Sequence, residues 1–304
     1  TSSSGYAHGG AFTMNSGNVV TIENSVFFDN HAYKAGGAIA FYGDGSSTLT
    51  INNSTFYNNE GKANSCSTNC NGQIVVSGSG TQAYINNSIL YESDPDDSYH
   101  EDIVARYSAS ITIRNSIVER SDTYQSGSIS NTSVSNSNPN WTDPANDDFS
   151  LPNDSPAVDT ASSTYAPSDD LNDLLRPQGQ ADDMGAYERR NTWDGSTDTD
   201  WSTAANWSED IVPIAARSPI IADVTNQPII SSDDGSSGHV SLKEITINSG
   251  AELTISKDAS LTLSGDFTNN GTVTLNSDSN DFSSIIVEGT ASGNITYNRY
   301  VNTP

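Results

Sequence analysis

Two cysteines, Cys66 and Cys70, stand close together in the polar stretch 64–71, with no histidine or further cysteine near them. Structural zinc takes four nitrogen or sulfur ligands, so this pair alone does not make a zinc site. A local disulfide is the expected pairing and fits an oxidising exterior; two free thiols are the alternative. Asp94, Asp96, Asp97, Glu101 and Asp102 crowd five carboxylates into nine residues. Calcium takes about six to eight oxygen ligands, which makes this stretch a candidate calcium loop. It lacks the glycine-containing ligand order of a helix-loop-helix site, and the pattern favours a solvated acidic loop. The loop Asp194–Asp200 is a weaker candidate of the same kind.

Acid–base chemistry has fewer carriers. Abstraction of a proton beside a uronate carboxylate needs a base, and a cation or calcium to neutralise the acid. Over residues 1–137 the basic side chains are chiefly Lys34, Lys62, Arg106, Arg114 and Arg120, without a sequence cluster, and His8, His31 and His100 are scattered. Hydrolysis by a carboxylate pair depends on a separation that sequence does not display. Arg176 among Asp170, Asp183 and Glu188 reads as a buried structural clamp, because guanidinium suits bidentate carboxylate pairing. Tyr42, Tyr57, Tyr84, Tyr91, Tyr99, Tyr107 and Trp141 offer rings for stacking on sugar faces or anchoring protein contacts, although several must fill a core.

These residues need a scaffold, and composition narrows it. The chain has 304 residues, 38 acids against 12 bases, and a net charge of −26. That length is roughly two average domains. Such acidity excludes a nucleic-acid binder, which needs cations to displace phosphate counterions. It also argues against an anionic membrane surface, and no apolar run approaches the roughly 18 residues of a spanning helix.

Four segments align without gaps: 20–27, 49–56, 83–90 and 111–118. Each is a short alternating strand, an Asn-Ser corner, then a second apolar strand. The shared asparagines are Asn24, Asn53, Asn87 and Asn115, at steps of 29, 34 and 28 residues. A repeat of this length, with no helical period, predicts a parallel β-solenoid in which equivalent side chains stack between coils. The asparagines are then expected to form a structural amide ladder, with glycosylation of sequons such as Asn52-Asn53-Ser54 the weaker reading.

Gly9-Gly10-Ala11-Phe12 and Gly36-Gly37-Ala38-Ile39, with Phe27-Phe28-Asp29-Asn30 and Phe56-Tyr57-Asn58-Asn59, form a second pattern. At these residues the chain resembles right-handed parallel β-helix proteins of the polymorphic outer-membrane-protein type. After about residue 125 the repeat fades. The series Asn138-Pro139-Asn140-Trp141, Ser155-Pro156-Ala157-Val158-Asp159, Arg176-Pro177 and Asp183-Met184-Gly185-Ala186-Tyr187-Glu188 resembles the choice-of-anchor Q region of bacterial surface β-helix proteins, with Met184 where a branched aliphatic residue is expected. An open parallel edge invites association, so this segment is expected to close the last coil.

Trp193, Trp201 and Trp207 lead into a second set of short alternating strands. The stretch Gly293–Val301 is similar to modules of large secreted Bacteroidetes proteins, in which a type IX secretion sorting domain commonly follows. The expectation is therefore an all-β chain: a right-handed parallel β-helix over 1–188 with a closing segment at about 138–188, then a smaller β-rich module over 189–304, the whole a piece of something longer. The resemblance implies an extracellular or bacterial cell-surface location and type IX secretion or outer-membrane components as partners. A non-catalytic stalk or adhesin binding glycan or protein surfaces is the leading function. A polysaccharide lyase or glycosidase on the same scaffold is the alternative.

Overall fold

The computed structural model describes residues 8–61, 72–92, 101–232 and 238–301. Contacts divide the chain into two compact units, Thr1–Pro177 with Ala181–Arg189, and Gln178–Gln180 with Arg190–Pro304. Both are all-β: the described residues contain no α-helix, only the 3-10 turns Pro144–Asn146 and Ala204–Asn206. Accordingly, no helix among them is long and apolar enough to cross a membrane.

Alternation decides which faces are buried. In the strand Thr48–Asn52, Leu49 and Ile51 are fully buried while the residues between them stay partly exposed. Successive repeats pair in parallel and in register, so Val20, Leu49, Ala83, Ile111 and Ile129 form one file along the first unit. A second sheet stacks Phe12–Met14, Gly36–Tyr42, Gly72–Ser77, Glu101–Arg106 and Ser121–Tyr124 in chain order, also in parallel. Ile39, Phe41, Ile74 and Ile103 of this sheet share one core with Leu49, Ile51, Ile85 and Ile113 of the other. The paired glycines answer to close backbone approach. A Cβ on Gly36 would lie 1.7 Å from the Ile39 carbonyl oxygen, and one on Gly37 would lie 2.1 Å from the Asn59 carbonyl carbon.

Beyond the asparagine corner runs a third row: Val26–Phe28, Thr55–Tyr57, Ile89–Tyr91 and the end of Ser110–Val118. Its inward rings, Phe27 and Phe56, stack at 4.7 Å in the core. The strand Ser128–Ser135 adds a fifth layer, in which Ser133 takes the corner conformation that asparagine holds in the layers before it.

The segment 138–188 does not lie over that final layer, whose strand stays largely exposed. It packs beside the third row: Trp141, Phe149, Leu151, Ala157 and Met184 form a separate core with Ile89 and Ile117. The reason is local. Asn24, Asn53, Asn87 and Asn115 have φ of 46°, 42°, 52° and 46°, the left-handed region that asparagine tolerates better than most residues. At three of these corners the side-chain amide donates to a carbonyl of the segment: Asn24 to Asp169, Asn53 to Asp183 and Asn87 to Ser162.

The second unit repeats the principle with shorter steps. Three parallel sheets contain, respectively, Ile245–Ile247 beside Phe267–Asn269, Glu252–Ile255 beside Thr272–Asn276, and Ser260–Leu263 beside Ser284–Val287. Trp193, Trp201 and Trp207 are buried together, with Trp207 edge-on to both partners at 5.1 and 4.7 Å.

Candidate functional site

The corner that the repeats share holds a hydrogen-bonded ladder, carried mainly by serine. The backbone N–H of Ser25 donates to the Ser54 hydroxyl, that of Ser54 to Ser88, and that of Ser88 to Ser116, at 3.1–3.2 Å. Each hydroxyl in turn donates to the carbonyl two residues before it. Among the four predicted asparagines, one amide-to-amide rung is made, Asn87 to Asn53 at 3.1 Å. The amides of Asn24, Asn53 and Asn87 also hold the flanking segment. The neighbouring Asn52 and Asn86 extend a second file, with Asn86 donating to Asn52, and Asn52 to Glu23.

The predicted acidic loop divides. Asp94, Asp96 and Asp97 lie outside the described residues, as do Cys66 and Cys70. Glu101 and Asp102 begin a strand instead of lying in a loop. Asp102 is buried, and its oxygens accept from Gln73 Nε2 at 2.6 Å and from the Arg120 backbone N–H at 2.9 Å. Burial pushes its carboxyl up to about 8 against those two hydrogen bonds. It ends an interior polar file in which Asn30 donates to Asn59, Asn59 to Gln73, and Gln73 to Asp102. Glu101 is also raised, by burial first and Asp122 second. Among the described residues no group of three or more His, Cys, Asp or Glu is placed to hold a metal ion. In the loop Asp194–Asp200, the carboxylates of Asp194, Asp198 and Asp200 each accept the N–H two residues on. Asn206 braces that loop from within through Thr197, Asp198 and Asp200. Those bonds are turn chemistry.

Arg176 and Glu188 form a buried pair at 2.8 Å, with both side chains almost wholly excluded from solvent. Arg176 also donates to the Asp183 and Gly185 carbonyls, and Glu188 accepts the Asp183 N–H. Asp183 accepts from the N–H groups of Asp159 and Arg189, while its burial raises its carboxyl to about 6. Asp170 binds the Asn172, Leu174 and Glu188 N–H groups. Every carboxylate here is engaged by backbone or guanidinium, which makes the constellation a clamp.

The arrangement open to a ligand lies where the segment meets the third row. Tyr57, Tyr91 and Trp141 wall a cavity of about 440 Å³ together with Glu92, Glu119 and Asn140. Stacked strands supply the two tyrosines, which lie at equivalent positions one layer apart. Trp141 meets Tyr57 edge-on at 5.2 Å and Tyr91 at 6.1 Å, and Phe149 supports it from behind at 5.3 Å. The buried Trp141 indole N–H has no hydrogen-bond partner among the described residues. The Glu92 backbone N–H reaches Glu119 Oε2 at 3.3 Å. Burial, then Glu119, raises the Tyr91 phenol, which keeps it a neutral donor. The described lining therefore combines apolar ring surface with carboxylate acceptors. Tyr57, Tyr91 and Trp141 are among the aromatics expected to offer rings; Glu92 and Glu119 carry no signal of a site in the sequence, because only the layer stacking brings them together. Tyr84 lies elsewhere, under the Arg114 guanidinium at 5.5 Å.

Residues 192–303 match a family described as a domain of unknown function, DUF8693. No curated protein and no solved structure matches the chain.

Proposed function

We propose that this chain is a non-catalytic stalk or adhesin segment of an extracellular or bacterial cell-surface protein. In this reading the first unit is a right-handed parallel β-helix that presents the Tyr57–Tyr91–Trp141 cavity to a glycan. The chain-ordered, in-register parallel layers support the β-helix, and its hand follows from the strong preference of parallel crossover connections. Export by type IX secretion and contact with outer-membrane components belong to the same proposal, through the resemblance of the closing stretch to secreted modules.

The observation that carries the reading is the cavity wall itself. Three rings and two acceptor carboxylates fit a molecule with apolar faces and hydroxyl edges. A lyase would need a base facing a uronate and a cation to neutralise it; the net charge of −26 works against that substrate. One observation favours a glycosidase as the second reading: Glu92 and Glu119 border the same cavity. Screening the protein against polysaccharides, with retention and newly formed reducing or unsaturated ends recorded together, separates the two. Retention without product supports the binding module. Product formation abolished by Glu119→Gln establishes the glycosidase instead.

A further inference from the structure

The aromatic cavity has a neighbour. A second hollow of about 430 Å³ is lined by Ser121, Asn131, Ser133, Ser135 and Asn136, and Glu119 borders both. Each volume lies in the range of about 300–1,000 Å³ typical of small-ligand sites. Their chemistry differs. The first is walled by rings, the second by hydroxyls and amides, which both donate and accept hydrogen bonds. The second is built on Ser128–Ser135, the exposed strand of the fifth layer.

Resting on the glycan-binding reading, we infer that the two hollows form one site for an extended, uncharged oligosaccharide. One sugar ring sits against Tyr57, Tyr91 and Trp141. The chain passes Glu119, which accepts from sugar hydroxyls, and its following units lie along the Asn131–Asn136 trough. Hydroxyl-rich units match the trough, and the acidic Glu119 side chain at the junction selects against polyuronates. A ligand confined to one hollow would leave the other without a role.

Titration calorimetry with neutral oligosaccharides from monosaccharide to hexasaccharide, and with a uronate hexasaccharide, tests this. The wild-type chain should bind the neutral hexasaccharide at least about tenfold more tightly than the monosaccharide, a gain of about 1.4 kcal/mol. Asn131→Ala and Asn136→Ala, at exposed positions, should together remove that gain and leave monosaccharide affinity unchanged. The uronate should bind at least about tenfold more weakly than its neutral counterpart, and Glu119→Gln should narrow the difference. Monosaccharide and hexasaccharide binding alike, or trough variants without effect, would overturn the extended site while leaving the aromatic site standing. Uronate binding as tight as neutral would overturn the charge selection. No binding by any sugar would overturn the glycan reading and this inference with it.

Discussion

The backbone N–H of Ser54 donates to the hydroxyl of Ser88 in the next layer at 3.2 Å, and both serines are buried. The Ser88 hydroxyl itself donates to the Asn86 carbonyl. Ser88→Ala therefore leaves the buried Ser54 N–H without its acceptor, while the Asn86 carbonyl still accepts the Asn53 N–H. The expected cost is about 1–3 kcal/mol. Ser25 stands at the start of the file, where its hydroxyl is in an exposed bond to Glu23. Ser25→Ala is expected to stay within about 0.5 kcal/mol. Urea midpoints of the two variants check the contrast, and equal losses would contradict the ladder.

Arg176→Met should destabilise the first unit by about 3–5 kcal/mol, because it strands the Glu188 carboxylate in the interior. The Asp183 and Gly185 carbonyls lose a donor at the same time. Had this group been an acid–base site, the variant would lower activity with little loss of stability. Chemical denaturation followed by tryptophan fluorescence reads the difference.

Asp102 gives the first unit a pH dependence of defined sign. Its ordinary value near 3.8 rises to about 8 when folded. Between those values the folded chain holds a proton that the unfolded chain has released. Stability from this group is complete below the lower value and falls as pH rises towards the upper one, by at most about 1.4 kcal/mol per pH unit. Denaturant midpoints measured across that window should decline with pH in the wild-type chain and decline less in Asp102→Asn. A parallel dependence in both would place the titration elsewhere.

Gly37→Ala is expected to destabilise the first unit by about 1–3 kcal/mol or more, since overpacking forces backbone to shift. The new methyl would meet the Asn59 backbone, which is held in the adjoining layer. Thermal melting of this variant beside Gly45→Ala, where a Cβ meets open space, isolates the packing term.

The strands were legible because alternation survives in the four aligned repeats: Leu49 and Ile51, Ala83 and Ile85, Ile111 and Ile113 all face the core, and Val20 and Ile22 pack against it. The division of labour at the corner was not. Asn and Ser are adjacent and both polar, and only the left-handed turn at the asparagine decides that serine faces the next layer while the amide faces outward. The fifth layer was obscured because Ser133 replaces asparagine and Asn131 replaces the core isoleucine at its position. The clamp around Arg176 was readable from residue types alone. The cavity was not, because Tyr57, Tyr91, Glu119 and Trp141 meet only when the segment 138–188 lies against the side of the layers and not over their end.

The most direct test compares the wild-type chain, Tyr91→Ala and Tyr84→Ala for retention on a neutral glycan array, with product release assayed in parallel. Tyr91 walls the cavity and Tyr84 does not. The glycan-binding reading predicts retention by the wild-type chain and by Tyr84→Ala, a loss of about tenfold or more for Tyr91→Ala, and no new sugar ends. Retention that Tyr91→Ala leaves intact would contradict it, as would sugar ends released by the wild-type chain.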